Sequence, residues 1–272
     1  MNISTPDQYS SAFAKPILLD QLAAQVPAAF SDGPAAHTGA NYVFISTKEL
    51  VAALLDAGFI ATQARQASVR GNVGAAYARH MLRFQPQRQT VTLLDAIPQI
   101  VLINSHDGRS AYQLRAGLYR PVCTNGLLTR LGDFGLIHVP HRGNVVQNVI
   151  DAAHTITRDF SRVGEVIERM HGTQLSFDQR LDFAQRALAV RYPGERHKPF
   201  DATALLEIRR PADEGEDLWR VFNVVQENVL RGGISGRSAN GRASRSRGIR
   251  AIREDVRMNN DLWQLAVALI RD

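Results

Sequence analysis

The amino-acid sequence predicts an α+β protein in which an antiparallel sheet in the N-terminal half is backed by a mainly helical C-terminal half. Short apolar or alternating segments separated by turn residues occupy the first half of the chain, as is typical of strands. From Asn144 onward, apolar residues recur at intervals of three and four, which indicates amphipathic helices. Because the strands precede the helices and do not alternate with them, the order favours α+β over a parallel α/β sheet.

A β-hairpin is predicted at the centre of the sheet. Residues 99–104 are almost wholly apolar, which is typical of a strand covered on both faces. The Asp-Gly pair within residues 106–109 supplies the positive φ that a tight turn requires. The second strand, residues 112–119, alternates in polarity and places Arg115 and Tyr119 on the face opposite its apolar side chains. That face is either an ordinary solvated surface or a binding surface.

The elements before and after this hairpin follow from local signals. Residues 1–40 are rich in Ala, Ser, Pro and Gln and are predicted to form a flexible segment with a short helical stretch. Ser46 and Glu49 match a capping box at the start of a helix that Gly58 ends. Further strands are predicted at residues 42–45, 59–69, 77–85, 90–94 and 134–139.

The C-terminal half is predicted to begin with one long amphipathic helix over residues 144–172, with a break near Gly164. Ser176 and Asp201 are candidate caps for two later helices. These two helices are predicted at residues 177–192 and 202–209, and two more at residues 218–230 and 260–271. The sequence thus indicates a flexible segment (1–40), a sheet domain (41–143) and a helical region that packs on the sheet (144–272).

A basic segment, residues 231–257, separates the last two predicted helices. It contains eight arginines against Glu254 and Asp255, with Gly, Ser, Ala and Asn between them. Such a composition predicts a flexible loop whose arginines repel one another unless an anion neutralises them. The segment is either a solvated loop or a nucleic-acid contact, and phosphate contacts would make binding strongly salt-dependent.

Composition and charge narrow the class of protein. The hydrophobic fraction of 44% and the charged fraction of 21% over 272 residues are typical of a soluble globular protein, and no apolar run approaches the length of a membrane helix. The single cysteine, Cys123, excludes an internal disulfide, and with no signal peptide in view we expect a cytoplasmic protein. The net charge is +6, and 29 of the 32 basic residues are arginines, since only Lys15, Lys48 and Lys198 are lysines. This excess favours an anionic partner, nucleic acid before membrane, although a GC-rich genome also produces an arginine bias.

Three sequence blocks together resemble a known family. They are LINSHDGRSAYQLRAGLYRPVCTNGL (102–127), FNVVQENVLRGGI (222–234) and NNDLWQLA (259–266). They are similar to the phage-, plasmid- and prophage-encoded "phage/plasmid-like" proteins, which are classed as a domain of unknown function. The resemblance implies a mobile genetic element, a setting in which small basic proteins that are not enzymes commonly handle DNA.

A second resemblance is one of layout alone. A hairpin and strands backed by helices, with arginines on the exposed side, look like the phage single-strand annealing proteins of the Red-beta and Rad type. Those proteins assemble as rings or filaments and hold single-stranded DNA in a basic groove. No motif matches, so no residue role is carried over from them.

The leading functional hypothesis is a DNA-binding protein of a mobile element that binds, and by analogy anneals, single-stranded DNA. It needs no cofactor, metal or membrane, has no catalytic residue, and is expected to act as a homo-oligomer. Cations in the hairpin and the basic segment would neutralise phosphates, and a tyrosine would stack on bases. The candidate nucleic-acid-binding residues are Arg109, Arg115, Tyr119, Arg231, Arg237, Arg242, Arg245, Arg247 and Arg250.

Two other classes of function stay open. The first is a protein–protein interaction factor that acts on a host defence or replication protein. The second is a metal-dependent nuclease, for which His106 and Asp107, with Asp133, His138 and His141 downstream, would be the candidates. A nuclease needs carboxylates that converge on a divalent metal, and the sequence contains no acidic cluster with that spacing.

Overall fold

The structure is a computed structural model, and it divides the chain into two compact units. The first unit comprises Met1–Thr124 and Phe134–Asp159, and the second comprises Asn125–Asp133 and Phe160–Asp272. The described residues are 15–39, 42–69, 72–87, 93–110, 112–121, 126–129, 136–139, 144–194 and 198–270. Residues 1–14, Asp133, His141 and parts of the strands predicted at 90–94 and 134–139 lie outside these ranges.

The described helices and strands are numbered in chain order. The helices are α1 (Leu19–Gln25), α2 (Thr47–Asp56), α3 (Asn72–Ala75), α4 (Val145–Arg158), α5 (Phe160–Gly172), α6 (Phe177–Arg191), α7 (Leu218–Arg231) and α8 (Ile252–Val267). The strands are β1 (Phe59–Gln66), β2 (His80–Pro86), β3 (Ile97–Asn104), β4 (Tyr112–Tyr119), β5 (Gly126–Leu128), β6 (Leu136–Val139), β7 (Ser235–Arg237) and β8 (Ala243–Arg245).

The first unit contains an antiparallel sheet whose strands pair in the order β1-β2-β3-β4-β6. This sheet, followed by mainly helical structure, confirms the predicted α+β class. The central hairpin is formed by β3 and β4, and Gly108 in its turn has the predicted positive φ of 72°. Every residue of β3 is buried, which confirms that this strand is covered on both faces.

One face of the sheet forms the apolar core of the first unit. The strand register places Leu82, Leu102 and Leu114 side by side on this face, and none of them is exposed. Helix α4 packs on β3, β4 and β6, and α2 packs on α4 and β1. Leu50 and Leu54 of α2 are fully buried, as expected of an amphipathic helix on a sheet.

Helix starts follow the predicted caps. The hydroxyl of Ser46 accepts a hydrogen bond from the backbone N–H of Glu49, and Ser176 forms a complete capping box with Gln179. Asp201 caps a 3₁₀ turn over Ala202–Leu206, where the sequence predicts a longer helix. These caps depend on neighbouring residues only, which is why the sequence reveals them.

The second unit is organised around α7. Every residue from Leu218 to Leu230 except Arg220 is buried, and α5, α6 and α8 each pack against this helix. Phe222 lies between two tryptophans, with ring centroids 6.0 Å from Trp219 and 5.7 Å from Trp263. Polar residues inside α7 have partners, as buried polar groups require; the Gln226 amide, for example, donates to Asn259 at 2.9 Å.

Several sequence predictions are wrong in detail. Residues 42–45 are irregular and not a strand. The long helix breaks at Asp159 and not near Gly164, because Gly164 is buried inside α5 as a small packing residue. Helix α8 begins at Ile252, eight residues before its predicted start, because buried polar residues such as Asn259 interrupt the apolar pattern there.

Candidate nucleic-acid interface

The basic segment is largely ordered, contrary to the predicted flexible loop. Strands β7 and β8 pair antiparallel, with Ser235 opposite Arg245 and Arg237 opposite Ala243. The turn between them closes through a hydrogen bond of 2.8 Å from the Gly241 N–H to the Ser238 carbonyl, and Gly241 has a φ of 74°. The rest of the basic segment, from Ile252 onward, belongs to helix α8.

Glycines permit the close backbone contacts that hold this hairpin in place. A Cβ on Gly236 would lie 1.9 Å from the Pro199 carbonyl oxygen, and one on Gly232 would lie 2.7 Å from the backbone of Arg247. A Cβ on Gly248 would likewise meet the Arg231 carbonyl oxygen at 2.7 Å. The glycines therefore allow backbones to pack against each other, a use of glycine that composition alone does not distinguish from flexibility.

The β7–β8 hairpin and the residues that follow it expose arginines that have no acidic partner among the described residues. Arg242, Arg245, Arg247 and Arg250 are exposed, and none forms an ion pair with a residue that the structure describes. From residue 231 to 250 the chain carries six arginines and no acidic residue. This part of the second unit therefore presents a dense positive charge to solvent.

The two arginines at the ends of the basic segment are paired with acidic residues. Arg257 pairs with Glu254 at 2.6 Å and with Asp261 at 2.9 Å. The hydrogen bonds from Arg257 lower the pKa of the Glu254 carboxyl. Arg231, a predicted phosphate ligand, forms an ion pair of 2.6 Å with the buried Glu227. Uncompensated positive charge is thus concentrated in residues 242–250.

Two aromatic residues lie beside the hairpin, and the sequence analysis missed both. The Tyr192 and Phe200 rings are 6.0 Å apart in an edge-on arrangement, and each is partly exposed. Phe200 adjoins Gly236, and the Arg191 guanidinium lies 5.3 Å from the Tyr192 ring centroid while donating to the Arg247 carbonyl. Their sequence neighbourhood gives no signal, because only the fold brings them to the hairpin.

A pocket of about 730 Å³ opens at the base of the hairpin. Its walls come from the segment after the 3₁₀ turn, the end of α7, and β7 and β8. The lining residues are Ala204, Glu207, Ile208, Arg209, Arg210, Asn228, Arg231, Gly233, Ile234, Ser235 and Arg245.

The floor of this pocket is neutralised by buried acids. Arg210 donates to both oxygens of Glu227 at 2.5 Å and lies 3.2 Å from an Asp213 oxygen. Glu227 also pairs with Arg231. Two carboxylates therefore balance these two guanidinium groups, and burial of both acids is tolerated because they are paired.

Arg209 has no such acidic partner in the part of the chain that the structure describes. Its Nε donates to the Asn228 side-chain oxygen at 2.6 Å and its Nη2 donates to the Gly232 carbonyl at 2.8 Å. Both acceptors are neutral, so the positive charge is fixed in position without being cancelled. Asn228 is itself held by donating to the Leu205 and Glu207 carbonyls, each at 2.9 Å.

The sheet hairpin places its predicted ligands in a different setting. Arg109 is exposed in the turn, and its backbone N–H donates to the Asp107 carboxylate at 3.0 Å. Arg115 is only 7% exposed and donates to Gln113 at 3.0 Å, so the prediction that it stands on an open face is wrong. Tyr119, half-buried, lies at the opposite end of β4 from the turn. The strand length alone separates Arg109 from Tyr119 by roughly 25 Å.

The predicted polar face of the sheet is covered throughout its centre. Arg83, which is 2% exposed, donates to Gln99 at 3.2 Å, and Gln99 donates to Thr62 at 3.1 Å. Alternation in β4 correctly assigns side chains to faces, but it carries no information about what covers each face. That Arg109, Arg115 or Tyr119 contacts nucleic acid stays a prediction.

His106 and Asp107 both make hydrogen bonds that stabilise the fold of the first unit. Thr47 is the centre of a buried polar network, since its hydroxyl lies 3.0 Å from His80 Nε2, 3.2 Å from His106 Nε2 and 3.0 Å from the Tyr112 hydroxyl. Asn104 donates to the same hydroxyl at 3.1 Å. Burial lowers the pKa of His80 to about 3 and raises the pKa of Tyr112.

The protonation pattern of the network follows from its geometry. His80 Nδ1 donates to the Ala78 carbonyl at 3.0 Å, so the Nε2 of the neutral ring is an acceptor for Thr47. The Asp107 carboxylate accepts from the Ser105 hydroxyl at 2.6 Å and from the backbone of Arg109. The Asp107 side chain thus organises the turn, as its position beside Gly108 predicts.

Neither a metal cluster nor a membrane-crossing helix is found among the described residues. No three His, Cys, Asp or Glu side chains of these residues form a group that could hold a metal ion. Within the same ranges, no helix combines the length and apolar composition that a membrane crossing requires.

Comparison with known proteins gives a family. Residues 34–263 match the family described as "Domain of unknown function (DUF932)". The chain is 38% identical over 256 residues to the UPF0380 protein YafZ of Escherichia coli K12, covering 94% of this chain and 92% of that protein. It is 36% identical, with the same coverage, to the UPF0380 protein YfjQ of the same organism. No solved structure matches the chain.

Proposed function

The chain belongs to the DUF932 family, a domain of unknown function, and we propose that it is a DNA-binding protein of a mobile genetic element. Single-stranded DNA is its preferred ligand, and the β7–β8 hairpin is the primary contact. The observation that carries this proposal is the set of exposed arginines at 242, 245, 247 and 250, none paired with an acidic residue among the described parts of the chain.

Phosphate binding follows from the charge of the hairpin. Exposed arginines on an ordered backbone lose little conformational freedom when they bind, and each guanidinium can donate two parallel hydrogen bonds to a phosphate. The two strands place Arg237 and Arg245 diagonally on the same face, opposite the face that Gly236 packs on Pro199. This face suits a polyanion that runs along the hairpin.

The preference for a single strand rests on the neighbouring aromatic residues. Tyr192 and Phe200 are partly exposed beside the hairpin, within the same unit as the arginines. Unpaired bases stack on such rings, whereas the bases of a duplex are already stacked on each other. Cations next to aromatic rings are the common arrangement in proteins that bind single strands without sequence preference.

The test removes three arginines that lie outside the pocket. We expect Arg242→Ala, Arg247→Ala and Arg250→Ala together to weaken binding of a single-stranded oligonucleotide. If each of the three arginines contacts one phosphate, the slope of log K against log salt becomes less steep by about 2, since each contact with a single strand contributes about 0.7. Fluorescence anisotropy across a salt series measures the slope, with duplex DNA and single-stranded RNA for comparison.

A matched control removes the same charge elsewhere. Arg158, Arg162 and Arg186 lie on α4, α5 and α6, and their joint replacement by Ala lowers the net charge equally. The control variant should retain the wild-type slope. Equal slopes in the two variants, or no binding by the wild type, would contradict the proposal.

The finer hypothesis is strand annealing by a homo-oligomer. It rests only on the resemblance in layout to annealing proteins, a hairpin and strands backed by helices with arginines on the exposed side, and the burial of Arg115 weakens that resemblance. The same preparations test it, through the pairing rate of complementary oligonucleotides and the native mass with and without oligonucleotide.

A further inference from the structure

The pocket at the base of the β7–β8 hairpin combines three kinds of chemistry. It has positive charge from Arg209, which hydrogen bonds hold in place, and from the exposed Arg245, an apolar wall from Ile208 and Ile234, and one carboxylate, Glu207. Its volume of about 730 Å³ falls in the range of roughly 300 to 1,000 Å³ that small-molecule sites occupy.

Arg209 is positioned as a ligand-binding group. Two of its nitrogens are occupied by Asn228 and Gly232, while Nη1 makes no hydrogen bond to any residue that the structure describes. A guanidinium held by two neutral acceptors keeps its full charge and needs little reorganisation to bind an anion. Arg245 faces the same pocket from β8 and has no acidic partner within the described ranges.

The floor of the pocket supplies rigidity and no further free charge. Arg210 and Arg231 are balanced by Glu227 and Asp213, so the net charge available to a ligand comes from Arg209 and Arg245 against Glu207. Two cations suit one phosphate group better than a long polyanion.

The remaining walls suit a flat heterocycle. Ile208 is 46% exposed beside the pocket, and Ile234 is buried at its edge, so the two can contact the faces of a ring. Glu207 is exposed and its carboxylate can accept hydrogen bonds from an exocyclic amino group, as carboxylates do with cytosine. Phosphate, flat ring and amino group together define a nucleotide.

We propose that this pocket binds one nucleoside 5′-phosphate unit, with the phosphate on Arg209 and Arg245 and the base between Ile208 and Ile234. If the bound nucleotide is part of the DNA strand that the hairpin binds, the inference rests on the proposed function. A free nucleotide has the same chemistry, and the experiment distinguishes these two sources.

The test fills the pocket without removing charge. Ile208→Trp places a bulky side chain at the exposed edge, and Ser235→Trp fills the pocket from β7 as an independent second variant. Phe177→Trp is the matched control, since Phe177 is 57% exposed on α6 in the same unit and does not line the pocket. Thermal denaturation confirms that each variant is folded.

Calorimetric titration of the full chain uses 5′-CMP, 5′-AMP, 5′-GMP and 5′-TMP, with cytidine and inorganic phosphate as partial ligands. We expect at least one mononucleotide to bind the wild type and the Phe177→Trp variant, and to bind the filled variants at least tenfold more weakly. Cytidine and phosphate alone should bind more weakly than 5′-CMP. If phosphate binds as tightly as every mononucleotide, the site holds a simple anion and the inference is wrong.

The source of the nucleotide is decided with an oligonucleotide. If the unit belongs to a strand, the filled variants weaken oligonucleotide binding several-fold and make the salt slope less steep by about 0.7, the share of one phosphate contact, against about 2 for the triple arginine variant. If a mononucleotide binds the wild type but the oligonucleotide does not, the pocket is a free-nucleotide site and the proposed DNA binding is wrong. If no mononucleotide binds and filling leaves oligonucleotide binding unchanged, the pocket inference is overturned while DNA binding by the hairpin stands.

Discussion

The β3–β4 hairpin of the first unit and the β7–β8 hairpin of the second unit differ in where they place polar side chains. In the first, Arg115 is covered and bonded to Gln113, and Thr47 connects the polar groups near the turn. In the second, Arg242 and its neighbours face solvent without acidic partners among the described residues. Both hairpins carry arginines in sequence, but Arg115 of the first is buried, whereas Arg242 and Arg245 of the second are exposed.

The difference in burial sets what each hairpin contributes. Buried polar groups cost free energy unless every one is bonded, so the first hairpin is specified by its hydrogen-bond network. Exposed arginines contribute little to stability, so the second hairpin depends for its order on backbone contacts at Gly232, Gly236 and Gly248. Substitutions in the first region should therefore change folding, and arginine substitutions in the second should change binding.

The largest expected effect is that of Thr47→Val. Valine has the shape of threonine but removes the hydroxyl that bonds His80, Asn104 and His106, so up to three buried polar atoms lose a partner. At about 1 to 3 kcal/mol for each unsatisfied group, partly offset by relaxation, we expect the free energy of unfolding to fall by about 4 kcal/mol. Urea denaturation followed by circular dichroism measures this change.

Thr155→Val is the control, because Thr155 lies on α4 in the same unit and its hydroxyl makes only exposed hydrogen bonds, donating to the Asp151 carbonyl and accepting from Arg158. That variant should stay within about 0.5 kcal/mol of the wild type. If both threonine variants have the same small effect, the network does not specify the first hairpin.

The next effect is that of Gly236→Ala in the second hairpin. The added Cβ would overlap the Pro199 carbonyl oxygen at 1.9 Å, so the hairpin must move away from this segment. We expect a loss of about 3 kcal/mol, at the upper end for overpacking. Limited trypsin digestion should also cleave faster after Arg242 and Arg245, because cleavage requires local opening of the strand pair.

Gly172→Ala is the matched control in the same unit, since a Cβ there meets no atom within 4 Å. It should leave stability and the cleavage rate near those of the wild type. Unchanged cleavage in Gly236→Ala would mean that the close approach to Pro199 does not order the second hairpin.

The two hairpins also show how far sequence reasoning reaches. The β3–β4 hairpin and the caps at Ser46 and Ser176 depend on adjacent residues, and the sequence predicts them. The burial of Arg115 and the order of residues 235–245 depend on segments distant in the chain, such as Pro199 beneath Gly236. Local composition therefore cannot tell a flexible glycine from one that permits a close contact.

The candidate site follows the same rule. Sequence reasoning selects the arginines of the second hairpin because charge density is a local property. It misses Arg209, Tyr192 and Phe200, because each becomes a candidate only through a neighbour distant in sequence, such as Asn228 for Arg209. The pocket is a product of tertiary structure, and no spacing rule would have found it.

The smallest of the expected effects is a pH dependence of stability that arises in the buried polar network beside the first hairpin. Burial lowers the pKa of His80 from 6.5 to about 3 in the folded chain. Between these values the unfolded chain binds a proton that the folded chain does not, so the free energy of unfolding decreases as the pH falls through this window. Because the pKa of His80 differs this much between the folded and the unfolded chain, we expect the free energy of unfolding to be about 2 kcal/mol lower at pH 5 than at pH 7.5.

Urea denaturation at pH 7.5, 6.0 and 5.0 measures this dependence, with His80→Gln as the comparison. The variant loses stability at every pH because Thr47 and Ala78 lose a partner, so the slope and not the absolute value is compared. Its slope should be shallower by the contribution of His80, while the contributions of all other groups are common to both proteins. Since the second hairpin holds its charge on arginines, which stay protonated throughout this range, its cations should not contribute to the slope. A slope identical in the wild type and His80→Gln would show that His80 takes up its proton without opening the network, and that the first hairpin is less tightly closed than its burial indicates.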